Sequence, residues 1–243
     1  VIGGADDDRL NGGDDDDILI GGDGGDEVFG NAGDDVLFVI DVSLGAEFSE
    51  QPWSGGVNDL YDGGAGEDLI VVNDDIDITL SNINLQMSVY GNHTAGNIEV
   101  AHLTGGASAN TIDAAGFSGR TIIRGKGEND ILRGGSDTDV IEGGDGDDTI
   151  TANAGNDTIT GGAGTNTLTG GHDDDTYVFN DITAIDTVLL ASRNTRLVIT
   201  DPAIRKACIR GTPEPIKILR VDANRALSSA ISTPRSPGIR SKK

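Results

Sequence analysis

Aliphatic residues recur every nine positions through two long stretches of the chain. Residues 3–38 divide without a gap into GGADDDRLN, GGDDDDILI, GGDGGDEVF and GNAGDDVLF, whose eighth residues are Leu10, Leu19, Val28 and Leu37. Six more units fill residues 125–178, with Leu132, Ile141, Ile150, Ile159, Leu168 and Tyr177 at the eighth position. An internal repeat this regular predicts a stacked solenoid, with the eighth residue of each unit facing the core.

Polar residues keep the same period, and the sixth position is almost always acidic. These residues are Asp8, Asp17, Asp26 and Asp35 in the first block, and Asp130, Asp139, Asp148, Asp157, Asn166 and Asp175 in the second. Glycines before the acid give the backbone the freedom that tight turns require. Carboxylates stacked at one position repel each other unless a cation lies between them, so the pattern indicates a bound cation.

The chain between the two blocks keeps only parts of this pattern. Residues 54–71, SGGVNDLYD and GGAGEDLIV, are interpreted as short degenerate repeats, and residues 39–53 as a loop or irregular rung. Residues 72–124 carry short runs rich in Ile, Val and Thr, broken by Gly and Asn, which are typical of strands. We therefore expect solenoid rungs with few acids there, and an all-β fold for the repeats as a whole.

Charge divides the chain into two parts. Residues 1–190 contain 38 acids and five bases, whereas residues 191–243 contain three acids and 12 bases. We interpret residues 179–243 as an end strand followed by a basic, flexible tail. The net charge of −24 disfavours nucleic acid as a partner, and no apolar run is long enough to span a bilayer. Because Val1 lies inside a repeat, the chain is interpreted as a fragment of a longer protein.

One unit identifies the repeat. GGDGDDTIT, residues 143–151, matches every defining position of the pattern G-G-x-G-x-D-x-U-x, and the chain resembles the repeats-in-toxin (RTX), or hemolysin-type calcium-binding, family over both blocks. The resemblance implies a parallel β-roll, or β-helix solenoid, in which six residues of each unit form a turn and three form a strand. Two units then complete one coil. Stacked coils lie about 4.8 Å apart, so each turn lies beside the turn two units later.

The same resemblance implies calcium sites between stacked turns, since carboxylate and carbonyl oxygens suit Ca²⁺ better than Mg²⁺. The predicted pairs are Asp8 with Asp26, Asp17 with Asp35, Asp130 with Asp148, Asp139 with Asp157, Asp157 with Asp175 and, as a weaker site, Asp148 with Asn166. Asp59 and Asp68 fall on opposite edges of the roll and are predicted to make no complete site together. Whether residues 54–71 bind calcium is left open.

Some positions are expected to matter less, or to distort the roll. Asp147 occupies the variable fifth position and is predicted to contribute little to calcium binding. The histidines show no metalloprotease spacing and are interpreted as incidental; they are His93, His102 and His172. Turns that lack the fourth-position glycine, or have Lys126 at the second position, are predicted to be strained or differently shaped; the residues in place of that glycine include Asp6, Asp15, Asp137 and Asp173.

Two functions fit these patterns. The first is a non-catalytic, calcium-binding β-roll segment of an exported bacterial protein, which folds on calcium outside the cell and serves a structural, stabilising or adhesive role. Its location is then secreted, extracellular or on the cell surface, where a cell-surface or matrix partner is left open. The second is the C-terminal calcium-binding part of a secreted protease, lipase or polysaccharide-modifying enzyme whose catalytic domain lies upstream.

Overall fold

The computed structural model describes residues 1–39, 59–88, 91–180, 186–189, 196–199 and 220–221, and these contain strands, turns and bends without a helix. No helix long and apolar enough to cross a membrane therefore occurs among them. The strands are β1 (Ile2–Ala5), β2 (Arg9–Asp14), β3 (Ile18–Asp23), β4 (Glu27–Ala32), β5 (Val36–Phe38), β6 (Leu60–Ala65), β7 (Leu69–Asn73), β8 (Ile78–Ser81), β9 (Asn84–Met87), β10 (Gly91–Gly96), β11 (Val100–Thr104), β12 (Thr111–Gly116), β13 (Arg120–Lys126), β14 (Ile131–Arg133), β15 (Val140–Asp145), β16 (Thr149–Asn153), β17 (Thr158–Ala163), β18 (Thr167–Gly171), β19 (Thr176–Phe179), β20 (Thr187–Leu189), β21 (Arg196–Ile199) and β22 (Arg220–Val221).

Alternate strands enter two different sheets. One sheet has ten strands in the order β1-β3-β5-β7-β11-β13-β15-β17-β19-β21, and the other has twelve in the order β2-β4-β6-β10-β9-β8-β12-β14-β16-β18-β20-β22. Neighbouring strands are parallel except at β9, which runs antiparallel to both β8 and β10. The predicted all-β parallel solenoid is confirmed, and two nonapeptides make one coil.

Within the repeat blocks, the core is the row of eighth-position side chains. In one sheet Leu132 pairs with Ile150, which pairs with Leu168; in the other Ile141 pairs with Ile159, which pairs with Tyr177. All six side chains are at most 1% exposed. Because strand residues alternate between the two faces, the seventh and ninth residues of each unit face outward, as predicted.

The sheets differ in the middle of the roll. In the ten-stranded sheet, β11 alone separates β7 from β13, whereas β10, β9 and β8 separate β6 from β12 in the other. The prediction of plain rungs over residues 72–124 is therefore incomplete. Ser81 Oγ accepts a hydrogen bond from Asn84 N at 3.2 Å, which closes the turn that reverses β8 into β9. This segment lacks the glycine turn of the repeat, and the chain folds back there instead of completing a coil.

The turns show how the roll tolerates missing glycines. Asp6 and Asp173 replace the fourth-position glycine and still take positive φ angles of 84° and 70°. Lys126, at the second position, has a φ of 83°. A side chain with a β carbon adopts this region at an energetic cost, so these turns are strained. Asp15 and Asp137 do not take positive φ, and their turns are differently shaped. Both predicted outcomes therefore occur.

The last described strands extend the roll beyond residue 178. β20 pairs with β18, β21 pairs with β19 and β22 pairs with β20, all in parallel. The predicted single end strand is thus followed by two more strands, β21 and β22, within the basic segment. The interpretation of residues 39–53 as a loop falls outside the described residues except at Val39, and so does most of the predicted flexible tail.

Replacing one core residue should destabilise the roll far more than replacing its outward neighbour. Leu132 is fully buried, whereas Ile131 is 42% exposed. We expect Leu132→Ala to lower the free energy of unfolding by about 2–5 kcal/mol, because it leaves a cavity in the row. Ile131→Ala should lower it by less than about 1 kcal/mol. Chemical denaturation in saturating calcium measures both, and equal losses would contradict the assigned core.

Candidate metal centre

Strand register brings the sixth residues of successive coils together in two stacks. Each of these residues lies directly before a strand, so the pairing of two strands also aligns the residues that precede them. We define the twelve-strand ladder as the sixth-position stack before the twelve-stranded sheet, and the ten-strand ladder as the corresponding stack before the other sheet. Asp8, Asp26, Asp130 and Asp148 lie in the twelve-strand ladder, and Asp17, Asp35, Asp139, Asp157 and Asp175 lie in the ten-strand ladder.

One hydrogen bond repeats along both ladders. In each predicted pair, the side-chain Oδ1 atom of the later residue accepts a hydrogen bond from the backbone N–H of the earlier residue. The distances are 2.9 Å for Asp8 to Asp26, 2.8 Å for Asp17 to Asp35, 2.9 Å for Asp130 to Asp148, 2.8 Å for Asp139 to Asp157, 3.3 Å for Asp157 to Asp175 and 2.9 Å for Asp148 to Asn166. The structure thus places the members of every predicted pair in contact. Their role as calcium ligands stays a prediction.

The second carboxylate oxygen is left without a partner in much of both ladders. Among the described residues, buried Oδ2 atoms that form no hydrogen bond belong to Asp26, Asp35, Asp68, Asp130, Asp148 and Asp157. Each of these side chains is at most 2% exposed. An unpaired, buried carboxylate oxygen is costly, so this arrangement calls for a positively charged ligand.

The first residue of most units is a glycine, which leaves room beside this oxygen; the unit of Asp157 has Ala152 at this position instead. A β carbon built on Gly143 would collide with Asp148 Oδ2 and with the carbonyl oxygen of Gly161, the first glycine of the next coil. Gly30 stands in the same relation to Asp35 Oδ2 and to the carbonyl oxygen of Gly63. A carboxylate oxygen and a main-chain carbonyl therefore approach the same small space between two turns, and any larger residue would fill it.

These oxygens fit calcium. Ca²⁺ takes six to eight oxygen ligands and accepts carboxylates together with backbone carbonyls. Among the described residues, no three Asp, Glu, His or Cys side chains converge to hold a metal. Most of the ligands must therefore be carbonyl oxygens of the turns, as a glycine-rich turn allows. Softer transition metals, which prefer nitrogen or sulfur, find no suitable donor set in these turns.

Comparison with known proteins identifies the repeat. A family model that describes four copies of the RTX calcium-binding nonapeptide repeat matches residues 2–37, 115–150 and 142–177. These residues are RTX calcium-binding repeats. The predicted resemblance is confirmed over both blocks, and the family implies calcium as the ligand of this β-roll. The matches leave out residues 38–114, where the repeat pattern weakens.

Other comparisons add little about the RTX repeats. The crystal structure of extracellular lipase LipA from Serratia marcescens is similar to the chain at 16% identity, with a TM-score of 0.28. The similarity covers 79% of this chain and 37% of the lipase chain, so it spans well under half of the lipase. A likeness this weak carries no argument about activity. No curated protein matches the chain.

Burial raises the pKa of several ladder carboxyls. Loss of hydration is the largest cause, and it raises the pKa of Asp139 and Asp148 to about 6 and that of Asp157 to about 7. At Asp157 the hydrogen bond from Asp139 N opposes this shift, and the neighbouring carboxylates Asp139 and Asp175 add to it. Burial also raises the pKa of Asp26, Asp68, Asp130 and Asp175. The fold therefore disfavours the ionised ladder in the absence of a cation.

Fifth-position side chains form a further set of bonds, which the sequence analysis missed. Asp147 Oδ1 accepts a hydrogen bond from Thr165 N at 2.7 Å, and Asp147 N donates to Asn129 Oδ1 at 2.7 Å. Asp16 and Asn156 accept in the same way from Asp34 N and Asp174 N. The prediction that Asp147 contributes little to calcium binding stays a prediction. In the fold, these side chains bond to the following coil, whereas ladder carboxylates bond to the preceding one. A polar residue repeated at the fifth position was the available signal.

Two predicted ligands have other partners. Asn166 uses its amide oxygen to accept from Asp148 N, and its nitrogen donates to Asp186 Oδ1 at 2.9 Å. This orientation offers a donor where other units offer an acceptor, so Asn166 does not fit the predicted ligand role. Asp139 Oδ2 accepts a hydrogen bond from Gly135 N at 2.7 Å, and its Oδ1 accepts from Thr121. Asp139 therefore depends less on a cation than Asp157 does.

A matched pair of substitutions separates ladder chemistry from general acidity. Asp157 is buried with an unpaired oxygen, whereas Asp145 is an exposed acid at the third position of a turn. We expect Asp157→Ala to reduce the number of bound calcium ions and raise the calcium midpoint for folding, while Asp145→Ala changes neither appreciably. Calorimetric titration measures both quantities. Equal effects of the two changes would mean that the acids attract calcium only through their total negative charge, without a defined site.

The raised pKa values predict how stability depends on pH without calcium. A carboxyl whose folded pKa exceeds its usual value of 3.8 stabilises the fold below pH 3.8, and that contribution is lost as the pH rises through 6 and 7. In chelator, the residual β-structure measured by circular dichroism should therefore be greatest at pH 5 and fall as the pH rises to 8. Asp157→Asn should make this dependence shallower, because it removes the carboxyl with the highest pKa of the three. A β-structure content that rises with pH in chelator would contradict the assignment.

Proposed function

We propose that this chain is a calcium-dependent β-roll segment of an exported bacterial protein, which folds outside the cell and acts as a structural, stabilising or adhesive module without catalytic activity of its own. The observation that carries the proposal is the row of buried, unpaired Oδ2 atoms beside carbonyl oxygens in the RTX turns. Bound calcium would supply the missing positive charge at those oxygens.

The mechanism is metal-coupled folding. Without a cation, the ladder residues must bury unpaired carboxylate oxygens or take up protons, and both cost free energy at neutral pH. The chain contains only 4% aromatic residues and 41 acids, so little core burial is available to offset this cost and the loss of chain entropy. At a free calcium concentration ten times Kd, each independent site adds about 1.4 kcal/mol. A few such sites together reach the scale of a domain's whole stability, about 5–15 kcal/mol.

Location outside the cell follows from this dependence. Bacterial cytosol is poor in free calcium and the exterior is richer, so the segment would stay largely unfolded before export and fold after it. The extracellular or cell-surface location is thus part of the proposal, and it is supported by the RTX repeats and their calcium requirement. A role beside an upstream catalytic domain would use the same folding step.

Calcium should fold the chain, and magnesium should not replace it. We expect the chain in chelator to be largely disordered by circular dichroism, and to gain β-structure in millimolar calcium. The gain in equal magnesium should be much smaller, because Mg²⁺ demands a tight octahedron and keeps its water. A chain that is fully folded in chelator and insensitive to added calcium would remove the proposed function.

A further inference from the structure

Outward-facing residues in the first half of the roll differ between alternate units. The roll needs an apolar residue only at the eighth position, since the seventh and ninth residues of a unit point away from the core. Even so, the units whose strands enter the ten-stranded sheet end in ILI, VLF and LIV, at residues 18–20, 36–38 and 69–71. The units between them end in RLN, EVF and LYD. Extra apolar residues therefore recur in every second unit, which places them all on one sheet.

Strand pairing joins these residues into two adjacent rows on the outside of the ten-stranded sheet. The rows, which we call the apolar face, are Ile18, Val36, Leu69 and Val100, and beside them Ile2, Ile20, Phe38 and Val71. Ile2 and Ile18 are 69% and 58% exposed, and the other six are half-buried. The apolar face crosses five strands, so it is about 19 Å long at about 4.8 Å per strand.

The opposite face of the same coils is polar. On the outside of the twelve-stranded sheet, Arg9 forms an ion pair with Glu27, and the Arg9 guanidinium lies 4.6 Å from the centroid of the Phe29 ring. Asp62 accepts a hydrogen bond from Asn97 Nδ2 at 2.7 Å. Packing of the core does not explain why the two outer faces differ. A contiguous apolar patch of this size on the outside of a protein marks an interaction surface.

Exposed carboxylates line one margin of the apolar face. Asp16, Asp34 and Glu67 occupy the fifth positions of the three units, two residues before the first row. Asp34 N donates to Asp16 Oδ1 at 2.9 Å, and Glu67 N donates to Asp34 Oδ1 at 2.9 Å, so the three acids are stacked one above another. Glu67 also forms an ion pair with Arg120. These acids lie outside the ladders, so calcium bound in the ladders would leave their charge in place.

We propose that the apolar face binds a basic amphipathic helix of another polypeptide. A helix of about 13 residues is about 19 Å long and about 10 Å in diameter, which matches a face five strands long and two rows wide. Lysine or arginine along the flank of that helix would lie beside Asp16 and Asp34 and supply the opposite charge.

The same charges disfavour other occupants. A second copy of the chain would bring a further net charge of −24 to the contact, and an anionic membrane surface would be repelled by it. The inference goes beyond the proposed function, because the residues of the apolar face take no part in calcium binding and the proposal requires only the folded roll.

Binding of a model helix to the whole chain in saturating calcium tests the apolar face. The probe is a peptide of about 14 residues that contains only leucine and lysine, with its leucines on one side of the helix. The comparison peptide has glutamate in place of every lysine. We expect calorimetry to detect binding of the lysine peptide and no binding of the glutamate peptide.

A pair of isoleucine variants tests whether the peptide occupies this face. Ile18→Thr combined with Ile20→Thr gives β3 the outward threonines that β17 has at Thr158 and Thr160, and threonine favours a strand. This change should weaken the lysine peptide about tenfold or more, because two apolar contacts are lost. The matched control is Ile131→Thr, which changes an exposed isoleucine of the other sheet and should keep the parent affinity.

A pair of charge variants tests the margin. Asp16→Asn combined with Asp34→Asn keeps the side-chain oxygens that accept backbone hydrogen bonds and removes two charges. We expect it to weaken the lysine peptide about threefold at low salt and less at high salt. Asp145→Asn combined with Asp147→Asn removes the same charge beside the other sheet and should leave the affinity unchanged.

Several results would overturn the proposal. These are a folded parent chain that does not bind the lysine peptide, equal binding of the two peptides, and equal affinities of the isoleucine variant and its control. A parent dimer in sedimentation, dissociated by Ile18→Thr with Ile20→Thr, would assign the face to a second copy and overturn it as well. Circular dichroism in saturating calcium checks the fold of each variant. If the double isoleucine variant does not fold, Ile18→Thr alone and the charge variants decide.

Discussion

Many coils of the roll are joined to the next by a carboxylate that uses one oxygen and leaves the other unpaired. The first oxygen accepts a backbone N–H from the previous coil and so fixes the register of the stack, as between Asp130 and Asp148. The second oxygen is buried beside a glycine and a carbonyl, where water does not reach it. The same carboxylate therefore fixes the strand register with one oxygen and buries the other without a partner. A bound cation would neutralise that second oxygen.

The hydrophobic core cannot remove this requirement. Within the RTX blocks it is a single row of side chains in each sheet, such as Leu132, Ile150 and Leu168, and it has the same period as the acids. Adding a coil therefore adds one more buried aliphatic residue and one more buried carboxylate to each edge. Since burying the aliphatic residue gains about 1.5–3 kcal/mol and burying an unpaired carboxylate costs a comparable amount or more, the balance per coil depends on what neutralises the charge.

The sequence predicted those features that follow directly from the nine-residue period. The core rows and the contacting pairs, such as Asp139 with Asp157, follow from counting nine residues per unit and two units per coil. The pairs Asp26 with Asp59 and Asp35 with Asp68 could not be found in this way, because the segment between them changes the spacing from 18 to 33 residues. The sequence also did not predict that His93 lies beside Asp59 and Glu99 beside Asp68, because only strand pairing sets these positions and no repeat surrounds them.

The positions that depart from the repeat show how protein hydrogen bonds can satisfy a ladder residue without a metal. Asn110 accepts from Gly106 N at 2.8 Å and donates to Asp75 Oδ1 at 3.2 Å, so it satisfies both ends of its amide. Asn166 does the same between Asp148 and Asp186, and Asp59 Oδ2 accepts a hydrogen bond from Tyr61 Oη at 3.2 Å. In each case a protein N–H or O–H occupies the direction in which other units leave an oxygen bare. In the proposed function, the need for calcium therefore differs between individual steps of the roll: it is greatest where the repeat is most regular, and it falls where an amide or hydroxyl takes the place of the missing charge.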